Sequence, residues 1–263
     1  MTGEPRRYGV DVCYGTCQID RCLEALRFWE EELDGMGLFR KMLREASTPD
    51  TKASTLEHFI REFFAHRFLT DEGLAWSRIL RRHGGAMSRL AIEQITFLLC
   101  ARYDPMVRDF VLTEYWPRIR DGQKAFPLSM SADFLNAAEQ AGRPGAVWSA
   151  SRFEKLRSGL NGICAGYGLW RKGPSGGSYR ATPPALHPEV ALLLALELHE
   201  RGLSDEEVVT HRDWAFFGLD REKVIRMLQS SRNTSELLVQ SSGDLVSISW
   251  RTTMMEAANR HDC

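Results

Sequence analysis

Apolar residues along this chain recur mostly at spacings of three and four positions, which is the period of amphipathic helices. The helices predicted in residues 1–142 cover approximately 18–34, 38–45, 56–68, 70–83, 88–102, 104–115 and 131–141. Asp104-Pro105 marks one helix start, because Asp is a favourable N-cap and Pro is tolerated at the first helical position. The first two helices, joined by a Gly-containing turn, form a candidate helix-turn-helix.

Residues 143–186 combine one predicted helix with a short predicted hairpin. Ser151 and Glu154 fit a capping box at the start of the helix. Its expected buried stripe is Phe153, Leu156, Leu160 and Ile163. Two short β-prone segments, 167–171 and 178–182, then flank the sequence GPSGG, which is typical of a tight turn. A helix followed by a hairpin is the order found in winged-helix modules.

The same order recurs in residues 187–263. A Leu-rich helix is predicted from His187-Pro188 to Gly202, and a capping box at Ser204–Glu207 starts the next one. Asp220 is the predicted cap of a further helix, SSGD forms the turn of a hairpin, and a last helix closes the chain.

We therefore predict a mostly α protein: a helical bundle with helix-turn-helix or winged-helix-like units and short β-hairpins. The predicted domains are an N-terminal helical domain at 1–142, a basic helix-plus-wing unit at 143–186 and a winged-helix-like domain at 187–263.

Charge is distributed unevenly along the chain. The whole sequence is close to neutral, with 34 Lys/Arg and 35 Asp/Glu, whereas residues 143–180 contain seven Lys/Arg and one acid, Glu154. Such a local excess predicts contact with a polyanion. Residues 203–250 have the opposite balance, with eight acids and five bases.

The candidate nucleic-acid-binding residues follow from this pattern. In the basic segment they are Arg152, Lys155, Arg157, Arg171, Lys172 and Arg180, and in the helix after Asp220 they are Lys223 and Arg226. Packing at a subunit interface is an equal alternative for that later helix. A third basic cluster, Arg78–His83, is explained as well by the helix dipole, which favours cations in a last turn.

No catalytic constellation is predicted. GPSGG satisfies G-x-S-x-G, but a nucleophile elbow requires a helix after the Ser, and Pro183-Pro184 follows instead. The same glycines lack the GK[ST] of a P-loop. Cys13, Cys17 and Cys22 lack a CxxC spacing and a paired His, so we interpret them as small apolar residues. We predict a non-enzyme with no metal and no cofactor.

The sequence predicts neither a membrane-spanning segment nor a signal peptide. No run approaches the ~18 consecutive apolar residues of a membrane span. The first residues, MTGEPRRYG, have no apolar core of a signal peptide. We expect a cytoplasmic protein with no membrane contact.

Several segments spread over the chain carry a family resemblance. They are the N-terminal aromatic and acidic helix, TLEHFIREFFAHRFLTDE, FLLCARYDPMVRDFVLTEYW, FEKLRSGLNGICAGYGLW and the terminal LVSISWRTTMMEAA. In these segments the chain resembles the BrxA family, small proteins encoded in BREX bacteriophage-defence operons. The resemblance implies a cytoplasmic, mostly helical, non-catalytic component with helix-turn-helix or winged-helix parts that bind DNA. It also implies a likeness to NusB-type RNA-binding factors. A longer acidic C-terminal region distinguishes this chain.

Three hypotheses remain at this stage. The first is binding of double-stranded DNA through the basic segment, within a complex of phage-defence proteins. The second is a scaffold that joins other defence proteins and does not contact nucleic acid, which the acidic C-terminal region and the neutral total charge favour. The third is RNA binding of the NusB type. The sequence leaves the DNA sequence preference and the oligomeric state open.

Overall fold

A computed structural model describes residues 8–9, 18–45, 52–144, 147–174, 176–230 and 235–260 of the chain. It is mostly helical with small antiparallel sheets, so the predicted fold class is confirmed. The contacts divide the chain into two compact units, each made of two separate stretches of sequence. The first unit contains residues 1–70 and 99–184, and the second contains 71–98 and 185–263. These units differ from the three successive domains predicted, and only the break near 184–186 is common to both divisions.

The first unit begins with a group of helices. They are α1 (Ile19–Phe28), α2 (Gly35–Glu45), α3 (Ala53–His58), a π-helical turn (Phe59–Phe64) and α4 (Ala65–Phe68). The π-helical turn brings Phe59, Ile60, Phe63 and Phe64 into the core together. The ring of Phe64 also stacks on that of Phe68, with 4.7 Å between centroids.

The boundary between the first two helices differs from the prediction. The helix expected to reach Asp34 ends at Phe28, and α2 begins at Gly35, where a helix stop was expected. The reason is local, because the Asp34 carboxylate accepts a hydrogen bond from the Gly37 N–H at 2.7 Å. Asp34 therefore satisfies a free amide at the start of a helix instead of ending one.

The rest of the first unit alternates helices with short strands. In order these are α7 (Pro105–Asp109), a π-helical turn (Phe110–Tyr115), α8 (Trp116–Arg120), β1 (Ala125–Pro127), α9 (Met130–Gln140), α10 (Ala150–Gly166), β2 (Trp170–Lys172) and β3 (Ser178–Ala181). Asp104 caps α7 as predicted, accepting from Met106 N–H and Val107 N–H. The helical run passes Pro117 without a break, because α8 continues directly from the π-helical turn that ends at Tyr115.

The three strands of the first unit form one sheet with the order β1-β3-β2, all antiparallel. The hairpin of β2 and β3 was predicted, but β1 was not. It lies in the segment assigned to the N-terminal domain, and Phe126 of β1 pairs with Tyr179 of β3. The predicted basic unit is therefore incomplete without residues that precede it by more than fifteen positions.

The second unit packs its elements around one apolar helix. They are α5 (Asp71–His83), α6 (Arg89–Tyr103, whose residues up to Leu98 belong here), α11 (Pro188–Glu200), α12 (Asp205–Thr210), a 3₁₀ turn (Arg212–Phe217), α13 (Arg221–Leu228), β4 (Leu237–Ser242), β5 (Leu245–Trp250) and α14 (Met254–Arg260). Every residue of α11 from Val190 to Leu198 is buried. The predicted capping box at Ser204 and Glu207 is present in full, and Asp220 caps α13 by accepting from Lys223 N–H.

A β-hairpin completes this unit. β4 and β5 are antiparallel, with Leu237 opposite Trp250 at one end and Ser242 opposite Leu245 at the other. Gly243 lies in the turn between them and has a φ of 58°. The outer edge of β5 is held by Asp205 at the start of α12. Its carboxylate accepts from the Ile248 N–H at 2.8 Å and from the indole N–H of Trp250 at 3.0 Å.

Candidate nucleic-acid interface

Helix α10 carries the basic residues of the predicted interface, and its start differs from the expected one. Ser149 is the N-cap, and its hydroxyl accepts a hydrogen bond from the Arg152 N–H. The predicted capping box of Ser151 and Glu154 is wrong, because both residues already lie inside the helix. Glu154 instead accepts from the Arg157 guanidinium, at 3.0 Å from Nε and 2.6 Å from Nη2.

Helix α10 has one face in the core and one exposed to solvent. Leu156, Leu160 and Ile163 are buried as predicted, and Phe153 is half-buried at the edge of this stripe. Arg152 and Lys155 are exposed on the other side. The cations of the helix are therefore held on a packed element with their charged groups in water.

Two arginines of the sheet lie on the face opposite its aromatic side chains. Phe126, Trp170 and Tyr179 are buried, and the rings of Trp170 and Tyr179 stack with 4.6 Å between centroids. Because side chains alternate along a strand, Arg171 and Arg180 lie on the opposite face, and they are direct register partners across β2 and β3. The aromatic packing thus fixes the two arginines side by side on the solvent face.

The turn between these strands is narrow. Gly173 N–H donates to the Ser178 carbonyl at 2.8 Å, and Gly176 has a φ of 69°. A Cβ on Gly173 would lie 3.1 Å from the Ser178 hydroxyl oxygen and 3.2 Å from its carbonyl oxygen, so the close approach of the strands favours glycine there. Lys172 is exposed at the end of β2 beside this turn.

The predicted contact residues of the first unit differ in their ionic partners. Arg157 is paired with Glu154. Within the part of the chain that the structure describes, the other five have no acidic group within ion-pair distance, and all five are exposed: Arg152, Lys155, Arg171, Lys172 and Arg180. These five cations are therefore not neutralised by any acidic side chain of the described residues.

The two remaining predicted residues belong to the second unit, and both have an acidic neighbour on their own helix or at its cap. Lys223 Nζ lies 2.9 Å from an Asp220 carboxylate oxygen, and Arg226 lies 3.7 Å from Glu222. The structure therefore does not bring Lys223 and Arg226 together with the basic residues of α10 and the sheet within one unit.

One exposed cation beside the sheet does not follow from the charge pattern of the sequence. Lys124 immediately precedes β1, and its carbonyl accepts a hydrogen bond from Ala181 N–H at 3.0 Å. Arg120, which ends α8 four positions earlier, is also exposed. Charge alone does not reveal the position of Lys124, since its place beside β3 follows from the pairing of β1.

The two units have net charges of opposite sign. The first contains 22 Lys/Arg against 19 Asp/Glu, and the second contains 12 against 16. Within the first unit the excess is concentrated in residues 105–181, with eleven bases and six acids. The basic character predicted for 143–180 thus extends to the elements that complete its sheet.

Tyr8, Asp109 and Arg143 form a polar cluster in the first unit. The Tyr8 hydroxyl donates to Asp109 at 2.9 Å, and the Arg143 guanidinium pairs with the same carboxylate while lying over the Tyr8 ring. Burial raises the pKa of Tyr8 to about 12, and the Asp109 charge acts in the same direction. This cluster joins α7 to the segment that leads into α10.

Other candidate chemistry has structural explanations. His199 stacks on Trp250 at 4.2 Å, and His187 Nε2 lies 3.3 Å from the Ser88 hydroxyl. Cys22, Cys100 and Cys164 are buried free thiols, and burial raises the pKa of Cys100 to about 11. Cys13, Cys17, Cys263 and the Ser175 of GPSGG lie outside the described residues. Among the described residues, no group of three His, Cys, Asp or Glu side chains is arranged to hold a metal ion.

None of the helices in the described ranges has the length and apolar character needed to cross a bilayer.

A solved structure shares this fold. It is an uncharacterized protein from Magnetospirillum magneticum, similar with a TM-score of 0.57 at 18% identity over 77% of this chain and 96% of the other. No curated protein matches the sequence.

A family model supplies the second comparison. The BrxA model matches residues 41–197, which is more than half of the chain. Three of the resembling segments, at 55–72, 97–116 and 153–170, lie inside this match, whereas the first helix and the terminal LVSISWRTTMMEAA lie outside it. The chain therefore belongs to the BrxA family, and as a member it is a component of a BREX phage-defence system.

Proposed function

We propose that this protein binds double-stranded DNA through a winged-helix unit formed by residues 105–181. The order of elements supports this reading: a helical segment (105–120), β1, α9, α10, then β2 and β3, with the sheet order β1-β3-β2. In such a unit the third helix enters a groove and the hairpin is the wing. Here α10 is the third helix, and β2 with β3 is the wing.

The observation that carries the proposal is the set of five exposed cations on α10, β2 and β3 that have no ion pair with any described residue. Protein structures usually leave some surface cations unpaired, but these five share the two elements that a winged helix presents to DNA. Each cation that contacts a phosphate releases a counterion, so affinity should fall with salt at a slope of about −0.9 for each contact. Five contacts predict a slope of the logarithm of the association constant of roughly −4 to −5.

The test is fluorescence anisotropy of the full-length protein with a labelled DNA duplex at several salt concentrations. The variant Arg171→Gln/Arg180→Gln removes two charges without reversing them, so the salt slope should become shallower by about two and the affinity at low salt should fall. The matched control is Lys223→Gln/Arg226→Gln, which removes two paired cations from the other unit and should leave the slope unchanged.

Two results would contradict the proposal. One is absence of duplex binding at about 50 mM salt, where phosphate contacts are strongest. The other is equal loss in the control variant and in the wing variant, which would show that total charge decides binding. An RNA duplex of matching sequence belongs in the same series, because tighter RNA binding would support the NusB-like alternative.

In this proposal the protein acts in the cytoplasm as a DNA-binding component. It catalyses no reaction and needs no cofactor. The protein would supply DNA contact to other proteins of the same defence system. These features are expectations from the sequence and the family, and turnover assays on duplex DNA with and without Mg²⁺ test the first of them.

A second candidate function is contact with another defence protein through the second unit. It is favoured by the acidic balance of this unit and by two exposed leucines on its hairpin, Leu238 and Leu245, of which Leu245 is 77% exposed. Co-expression with the other proteins of the system tests it. The variant Leu245→Asp should reduce co-purification with one of them while leaving DNA binding intact.

A further inference from the structure

We infer that the protein takes duplex DNA of any sequence, because the winged-helix unit grips the DNA backbone and makes few base-specific contacts. This inference rests on the proposed function. It concerns what the same surface recognises, and it follows from the side chains that α10 presents to solvent.

The solvent face of α10 is composed mainly of small residues. Ser151, Lys155, Ser158, Gly162 and Ala165 follow one another at spacings of four and three, so they lie along one line on the helix. All are exposed except Gly162, which is half-buried. Helix and groove can therefore approach closely, but along this line only one long polar side chain, Lys155, projects.

Base recognition in the major groove depends on a few side-chain types. Arg or Lys contacts guanine, and Asn or Gln contacts adenine through two hydrogen bonds. All seventeen residues of α10 belong to the described part of the chain, and two polar side chains beside this line make hydrogen bonds within the protein. The Asn161 carbonyl oxygen accepts from the Ser131 hydroxyl, and Arg157 is bound to Glu154. Lys155 and two serine hydroxyls are left for base edges.

Arg152 lies beside this line and not on it. Its position is about 100° around the helix from Ser151 and about 60° from Lys155. It is exposed in the first turn, beside the N-cap Ser149. From this flank a long guanidinium is suited to the phosphates that border a groove, which carry no direct sequence information.

The hairpin of β2 and β3 provides the second group of proposed contacts to the DNA backbone. Arg171 and Arg180 are direct partners across β2 and β3, and Gly173 N–H donates to the Ser178 carbonyl two positions away. Arg171 and Arg180 are therefore a hydrogen-bonded pair, with Cα atoms about 5.5 Å apart. Like charges directly opposite one another on a sheet repel. An anionic phosphate placed between them would relieve this repulsion, and any sequence of DNA supplies one.

The experiment is selection of bound duplexes from a pool with about 20 randomised base pairs, using the full-length protein at a salt concentration where it binds. Anisotropy of AT-rich, GC-rich and mixed duplexes of equal length follows. We expect no enriched motif and dissociation constants within roughly fivefold of one another, against the 10³-fold or larger ratios of sequence-specific proteins.

A variant separates backbone contact from base reading. Lys155→Ala should weaken binding to all three duplexes by a similar factor, and Arg171→Gln/Arg180→Gln should do the same; thermal unfolding controls for folding. An enriched motif bound 100-fold more tightly, or a Lys155→Ala loss confined to one duplex, overturns the inference and leaves DNA binding standing. Failure to bind any duplex at low salt overturns both proposals.

Discussion

The phenol of Tyr8 donates a hydrogen bond to the Asp109 carboxylate. The Arg143 guanidinium lies over the same ring, with its carbon 4.7 Å from the Tyr8 ring centroid. Tyr8 itself is 7% exposed, whereas the Asp109 and Arg143 side chains are partly accessible to solvent. Through these contacts, a residue near the start of the chain is joined to α7 and to the segment before α10. Sequence analysis gave no sign of this, because the three residues lie up to 135 positions apart and none belongs to a recognisable motif.

Removing this hydroxyl should destabilise the protein in a pH-dependent way. The variant Tyr8→Phe should lower the free energy of unfolding by about 1–2 kcal/mol at pH 8, as for a hydrogen bond to a charged group. The pKa of Tyr8 is raised from 10.0 to about 12, so the folded state holds the proton more tightly than the unfolded state. The stabilisation is complete below pH 10 and is lost as the pH rises toward 12. Urea unfolding of both proteins at pH 8, 10 and 11 measures it, and a difference that does not shrink with pH would contradict this account.

Among the helices and strands, capping residues predicted the helix starts correctly where only one residue near the start could act as the N-cap. Asp104, Ser204 and Asp220 cap the helices that they were expected to cap. The prediction failed at α10, where Ser149 and Ser151 both satisfy the local preference. The strand β1 was missed because its three residues carry no period of their own, and its partner lies more than fifty positions later.

Substituting Ser149 and Ser151 separately tests which of the two serines caps α10. Ser149→Ala removes the acceptor for the Arg152 N–H and should lower the free energy of unfolding by about 1 kcal/mol. Ser151→Ala removes a serine that is already inside the helix, where alanine is the better helix former, so it should be neutral or slightly stabilising. Chemical denaturation of both variants distinguishes them, and the reverse order of stabilities would restore the cap at Ser151.

At the scale of the whole molecule, the fold class and the basic segment could be predicted, whereas the grouping of elements could not. Residues 71–98 join the C-terminal part of the chain, which no local pattern indicates. The candidate residues were predicted by charge, but charge did not separate Arg171 and Arg180, which face solvent unpaired, from Lys223 and Arg226, which have acidic neighbours. Ion pairing depends on tertiary and helical neighbours, so it emerges only with the structure.

The uneven charge also decides how DNA binding should respond to pH. The chain has a pI of about 6.7, so its total charge changes sign near neutrality. The proposed contacts are Arg and Lys, whose charge does not change between pH 6.5 and 8.5. At 0.15 M ionic strength charges act over about 8 Å, so local cations outweigh the total. Affinity for a duplex should therefore stay within about threefold across this range at constant ionic strength, as measured by anisotropy. A loss of tenfold or more toward pH 8.5 would mean that the net charge of the protein drives binding, and the five cations would lose their assigned role.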